Sequence, residues 1–80
     1  MPYSLHVDSV QQLVWDSLPP PAGEELSLAL FQVCEDPHGT TVPYGEDDGV
    51  TRLLVTQRLL VMLLVNDGAK RLTILQITMP

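Results

Sequence analysis

Leu53-Leu54-Val55-Thr56-Gln57-Arg58-Leu59-Leu60-Val61-Met62-Leu63-Leu64-Val65 is the most apolar stretch of this 80-residue chain and the richest in β-branched side chains. Asn66-Asp67-Gly68 follows at once, and Arg71-Leu72-Thr73-Ile74-Leu75-Gln76-Ile77-Thr78 then alternates apolar with polar. Two apolar runs around an Asp-Gly pair predict a β-hairpin, with glycine supplying the positive φ of a tight turn. Thirteen residues exceed the usual strand length, so the pattern predicts a break near Thr56-Gln57-Arg58. Strands are expected over 50–56, 58–65 and 70–78. Continuous alternation would place Leu53, Val55, Leu59, Val61, Leu63 and Val65 on one face. Leu54, Leu60, Met62 and Leu64 would then lie on the other.

Upstream, residues 3–7 alternate as a short strand would. Val10, Leu13, Val14 and Leu18 then repeat at helical spacing and predict an amphipathic helix over 9–18. Ser9 with Gln12, or Asp8 with Gln11, has the spacing of a capping box. Pro19-Pro20-Pro21 must end that helix. In residues 25–33, Leu26, Leu28 and Leu30 alternate and predict a strand. Leu26, Ala29, Leu30 and Val33 would equally line a helix. Residues 35–49 carry two prolines, three glycines and five acids, and read as a long acidic loop. The whole is one small α+β domain. A short amphipathic helix packs on a mostly antiparallel sheet of four to five strands, open or closed into a barrel.

Residues 1–49 hold nine acids and no Lys or Arg, whereas residues 50–80 hold four bases and only Asp67. The net charge of −6 makes nucleic acid a poor candidate ligand, because phosphate binding draws on several Lys and Arg contacts. One cysteine, Cys34, forms no disulfide within the chain, and neither end resembles a signal peptide. The expected location is the cytoplasm.

Few residues offer chemistry. Cys34 and His38 stand four apart, yet a zinc site needs a second ligand pair, and nothing orients the two as a nucleophile and its base. No cofactor is expected. Glu46, Asp47 and Asp48 lack the alternate oxygens of a calcium loop and read as a solvated surface or as a docking site for a basic partner. Residues 59–65 are apolar on both faces, and one short helix cannot cover them. This predicts an interface for a protein partner or a second copy, through Leu60, Met62, Leu72 and Ile74, with Trp15 on the helix flank as a further anchor.

Residues 53–62, with Gly49 before them, resemble the central hairpin of GRAM and other pleckstrin-homology-like domains: a glycine, an aliphatic strand ending in Thr, a polar turn and a Leu-bearing strand. The resemblance implies a barrel-like sheet, binding of protein or phosphoinositide, and no enzyme. Arg52, Arg58, Lys70 and Arg71 would hold the lipid headgroup, although the acidic charge opposes approach to an anionic membrane. The preferred expectation is a non-catalytic interaction or adaptor domain, with the membrane-targeting module as its alternative.

Overall fold

The computed structural model of the chain describes residues 2–45 and 49–80. Strand β1 (Ser4–His6) leads into helix α1 (Ser9–Asp16), whose N-cap is Asp8: its Oδ1 accepts the Gln11 amide at 2.8 Å. Of the two capping arrangements open in the sequence, the earlier one forms. The Gln11 side chain does not reciprocate; its Oε1 accepts the Ile77 amide instead, tying α1 to the sheet.

The proline triplet ends one helix and begins another. Pro20 and Pro21 occupy the first turn of α2 (Pro20–Glu35), where the missing amide hydrogen would have no intrahelical partner. Residues 25–33 are therefore helical, not the expected strand. Ala22, Leu26, Leu30, Val33 and Cys34 form the buried stripe, while Leu28 is 64% exposed. The alternation of leucines that suggested a strand comes from one solvent-facing residue between two that are a helical turn apart. The acidic segment is also more ordered than expected. It contains a single-turn helix α3 (Pro37–Thr40) and a two-residue strand β2 (Val42–Pro43). Asp36 caps α3 by accepting the Gly39 amide, and a Cβ on Gly39 would lie 2.1 Å from Asp36 Oδ2, so a larger residue there would push the capping carboxylate aside.

β3 (Thr51–Val55), β4 (Leu60–Asn66) and β5 (Arg71–Thr78) fall where the sequence placed them. The five-stranded sheet has the order β1-β5-β4-β3-β2, antiparallel except for β1 on β5. It is open, not closed into a barrel. β5 is an interior strand, because the chain's first strand pairs beside it. The edges are β1 and β2, of three and two residues, and edges that short offer little template for further pairing.

One face of the sheet lies under the helices. Leu54, Val61, Leu63, Val65, Leu72, Ile74 and Ile77 meet Leu26, Leu30 and Val33 of α2 there. On the other face, Val42, Leu53 and Met62 stand in one cross-strand row and Val55 and Leu60 in the next. β3 is thus inverted relative to continuous alternation from β4. The turn at residues 56–59 resets the phase, closed by the Thr56 amide donating to the Leu59 carbonyl at 2.9 Å. The second turn also differs from expectation. Its positive φ belongs to Lys70 (φ 53°) and not to Gly68, while Asn66 Oδ1 accepts the Ala69 amide to shape the bend.

The helical reading of α2 separates two substitutions that a strand would make equivalent. Leu26→Ala should cost about 2–5 kcal/mol, a large part of the stability of so small a domain. Leu28→Ala should change stability by less than about 0.5 kcal/mol. Chemical denaturation of the two variants checks this; equal losses would contradict the helix.

Candidate functional site

At one corner of the sheet four side chains from distant parts of the sequence converge. Tyr3 precedes β1, His38 lies on α3, and Asp67 and Lys70 belong to the β4–β5 turn. The Tyr3 hydroxyl donates to Asp67 Oδ1 at 2.5 Å, and His38 Nε2 lies 3.1 and 3.0 Å from the two oxygens of the same carboxylate. The Lys70 ammonium sits 5.1 Å from the Tyr3 ring centroid, a cation–π distance reached through the left-handed backbone at Lys70. Tyr3 is buried and His38 half-exposed.

The electrostatics follow from those bonds. The Tyr3 hydroxyl, then His38, hold the Asp67 carboxyl below its ordinary value of 3.8, so it is ionised at neutral pH. Reciprocally, the bond to Asp67 followed by burial raises the Tyr3 phenol above 10.0. An ionised carboxylate only accepts, so His38 Nε2 carries the shared proton and Nδ1 is the nitrogen left to accept one. The backbone beneath His38 is fixed by Arg52. This buried guanidinium donates to Thr41 Oγ1 and Thr41 O at 2.9 Å each, and to His38 O at 3.2 Å.

The second turn of the hairpin has its own carboxylate. Glu25 of α2 accepts from Thr56 Oγ1 at 2.5 Å, from the Arg58 amide at 2.8 Å and from Arg58 Nη1 at 3.0 Å. The Thr56 bond first, then the Arg58 amide, lowers the Glu25 carboxyl below 4.5. The four bases read as one headgroup site are thus dispersed. Arg52 is buried beneath α3, and Arg58 is engaged with Glu25. Lys70 and Arg71 lie at the far end of β4, about 20 Å from Arg58 at the rise of a strand.

The interface residues also divide. Leu60 and Met62 lie on the open face of the sheet, beside Leu53, Val55 and Leu64. Leu72 and Ile74 are fully buried under the helices, and Trp15 packs half-buried against the core. Glu46, Asp47 and Asp48 lie outside the described residues. Cys34 and His38 do not form a pair: Cys34 is buried, and burial pushes its thiol above 9.0, away from a nucleophilic thiolate. His38 was singled out in the sequence with the wrong partner. Asp67 and Tyr3 stand 64 positions apart, and no local spacing connects them.

The chain superposes on the toxin–antitoxin complex RelBE2 of Mycobacterium tuberculosis with a TM-score of 0.86 at 15% identity, covering 100% of both chains. The isolated E. coli RelE toxin gives 0.81 at 19% identity, over 96% of this chain and 83% of that one. The intact E. coli RelBE toxin–antitoxin complex gives 0.80 at 18%, over 98% and 96%. No protein-family model matches the sequence, and no curated protein matches it significantly. The chain has the RelE fold.

That fold overturns the GRAM and pleckstrin resemblance, which rested on ten residues of a leucine-rich hairpin that any such sheet supplies. The adaptor and membrane-targeting readings fall with it, as does the expectation that the chain is not an enzyme. That last expectation rested on the resemblance and on the lack of an oriented Cys34–His38 pair in the sequence; in the folded chain His38 is paired with Asp67 instead. Among the described residues, no helix is long and apolar enough to cross a membrane.

The shifted groups set the pH dependence of stability. Asp67 and Glu25, both lowered, stabilise the fold fully above their ordinary values of 3.8 and 4.5, and that contribution is lost as pH falls below them. Tyr3, raised, contributes below its ordinary value of 10.0 and loses that contribution as pH rises beyond it. Melting curves from pH 2 to 12 should therefore fall at both ends. Tyr3→Phe should flatten the alkaline fall and weaken the acid one; an unchanged profile would show the Tyr3–Asp67 bond to be unimportant.

Proposed function

We propose that this chain is a RelE-type toxin: a ribonuclease that cuts messenger RNA during translation and is restrained by a protein partner of the antitoxin kind. The observation that carries the reading is the full-length superposition on a toxin from a toxin–antitoxin complex. Such a protein acts in the cytoplasm, where translation takes place.

The open sheet face supports a protein partner. Val42, Leu53, Val55, Leu60, Met62 and Leu64 lie on it with no covering element among the described residues, and an apolar face of this kind is suited to burial against another chain. The net charge of −6 argues against long-range attraction of RNA but not against local contact with exposed basic side chains. Arg52 and Arg58 are engaged within the fold, whereas Lys70 in the β4–β5 turn and Arg71 at the start of β5 are exposed.

Induced expression of the chain in Escherichia coli should arrest growth, and primer extension should map new 5′ ends within translated messages. Messages whose start codon is removed should remain intact, since the proposed target is RNA on the ribosome. Normal growth and uncut messages, with full-length folded protein accumulating, would overturn the proposal.

A further inference from the structure

We propose that the groove between α1 and α2 is a docking site for a basic amphipathic helix of a protein partner. That helix seats an apolar side chain against Trp15 and Phe31 and sets cations against Glu24 and Glu35. The site lies on the helical side of the molecule, away from the open sheet face, and it does not depend on the ribonuclease reading.

The groove holds about 220 Å³ and is lined by Leu5, Trp15, Ser27, Leu30, Phe31 and Cys34. Leu30 and Cys34 are buried at its floor, while Phe31 is 54% exposed beside it. The hydroxyl of Ser27 donates back to the Gly23 carbonyl at 3.0 Å, so the lining side chains offer an occupant no free hydroxyl, amide or charge. Such a lining selects an aliphatic or aromatic side chain, because a polar one would lose its hydration uncompensated. Trp15, expected from the sequence to anchor a partner, is part of this wall.

The charge around the groove selects the rest of the partner. Glu24, Leu28, Phe31 and Glu35 follow at i, i+4, i+7 and i+11, which sets them in one stripe along α2, and all four are exposed. The stripe is apolar at its centre and acidic at both ends, which stand about 16 Å apart at the rise of a helix. Neither glutamate has a hydrogen bond or an ion pair among the described residues, unlike Glu25, which binds Arg58. Asp8 and Asp16 add the same sign at the two ends of α1, and residues 8–36 contain six acids and no Lys or Arg. A neutral partner would desolvate these carboxylates without compensation, and an acidic one would be repelled. A raised stripe of this kind is the ridge that a second helix receives between its own rows of side chains. The helix that fits has large apolar residues at its centre and Lys or Arg about three turns apart.

A displayed library of amphipathic helices of about 18 residues, randomised on the polar face, tests this by selection on the full chain. Enriched members should carry Lys or Arg about three turns apart around Leu, Ile or Phe. The best of them is then made as a free peptide and titrated against the chain. Emission from Trp15, the only tryptophan present, should shift to shorter wavelength as water is excluded. Phe31→Ala should weaken that binding at least about tenfold, as for a central aromatic anchor. Glu24→Gln with Glu35→Gln should weaken it about 3–10-fold at low salt and remove most of its salt dependence. Both variants change exposed side chains and should melt as the parent does. Val55→Ser, on the open sheet face, should bind normally. Recovery of acidic or uncharged peptides, recovery of none, or a peptide that Phe31→Ala still binds in full would overturn the proposal. Loss of binding in Val55→Ser alone would overturn it too, by moving the contact to the sheet.

Discussion

The fold depends on a single contact between layers: the stripe Leu26, Leu30 and Val33 of α2 against Val61, Leu63, Leu72 and Ile74 of the two central strands. All seven side chains are at most 2% exposed. In 80 residues there is no second core to fall back on, so the position of every other element follows from how α2 lies on β4 and β5. The proline triplet fixes where that helix begins, and Asp36, at its C-terminal end, starts the single turn that carries His38.

Two carboxylates then fasten the rim of this layer. Glu25 reaches from α2 to the turn before β4, and Asp67 joins the turn after it to Tyr3 and His38. Both act by collecting several donors on one ionised group, the arrangement that favours a charged carboxylate most strongly. The difference between them is what remains free. Around Glu25 the donors are backbone, a hydroxyl and a guanidinium, and the group only clamps. Around Asp67 one donor is an imidazole with a second nitrogen, and clamping becomes orientation.

The sheet was legible in the sequence because β3, β4 and β5 are long, apolar runs bounded by polar turns, signals that local chemistry decides. The helix α1 was legible for the same reason, through its spacing and its cap. Residues 25–33 were not, since leucines two apart satisfy both periods over so short a span, and only the burial of Leu26 and Leu30 with Leu28 outside decides between them. The inversion of β3 escaped because the phase of a strand is set by the turn, not by the strand's own residues. The site was the least legible part. Tyr3 and Asp67 are brought together by a parallel pairing of the first strand with the last, and His38 reaches them from α3, held by Arg52 of β3; both are topological events. The pleckstrin resemblance failed on the same ground, since a hairpin constrains ten residues and says nothing of what pairs beyond it.

The internal use of Arg52 and Arg58 has a consequence for how the molecule is approached from a distance. With Arg52 buried and Arg58 paired with Glu25, the net charge of −6 repels a polyanion until it is within a Debye length of Lys70 and Arg71. Encounter with RNA is then not accelerated by long-range attraction, and few counterions are released on contact. Association with such a surface gains from screening: added salt shortens the reach of the repulsion more than it weakens two local cations, the reverse of the behaviour of a basic nucleic-acid-binding protein.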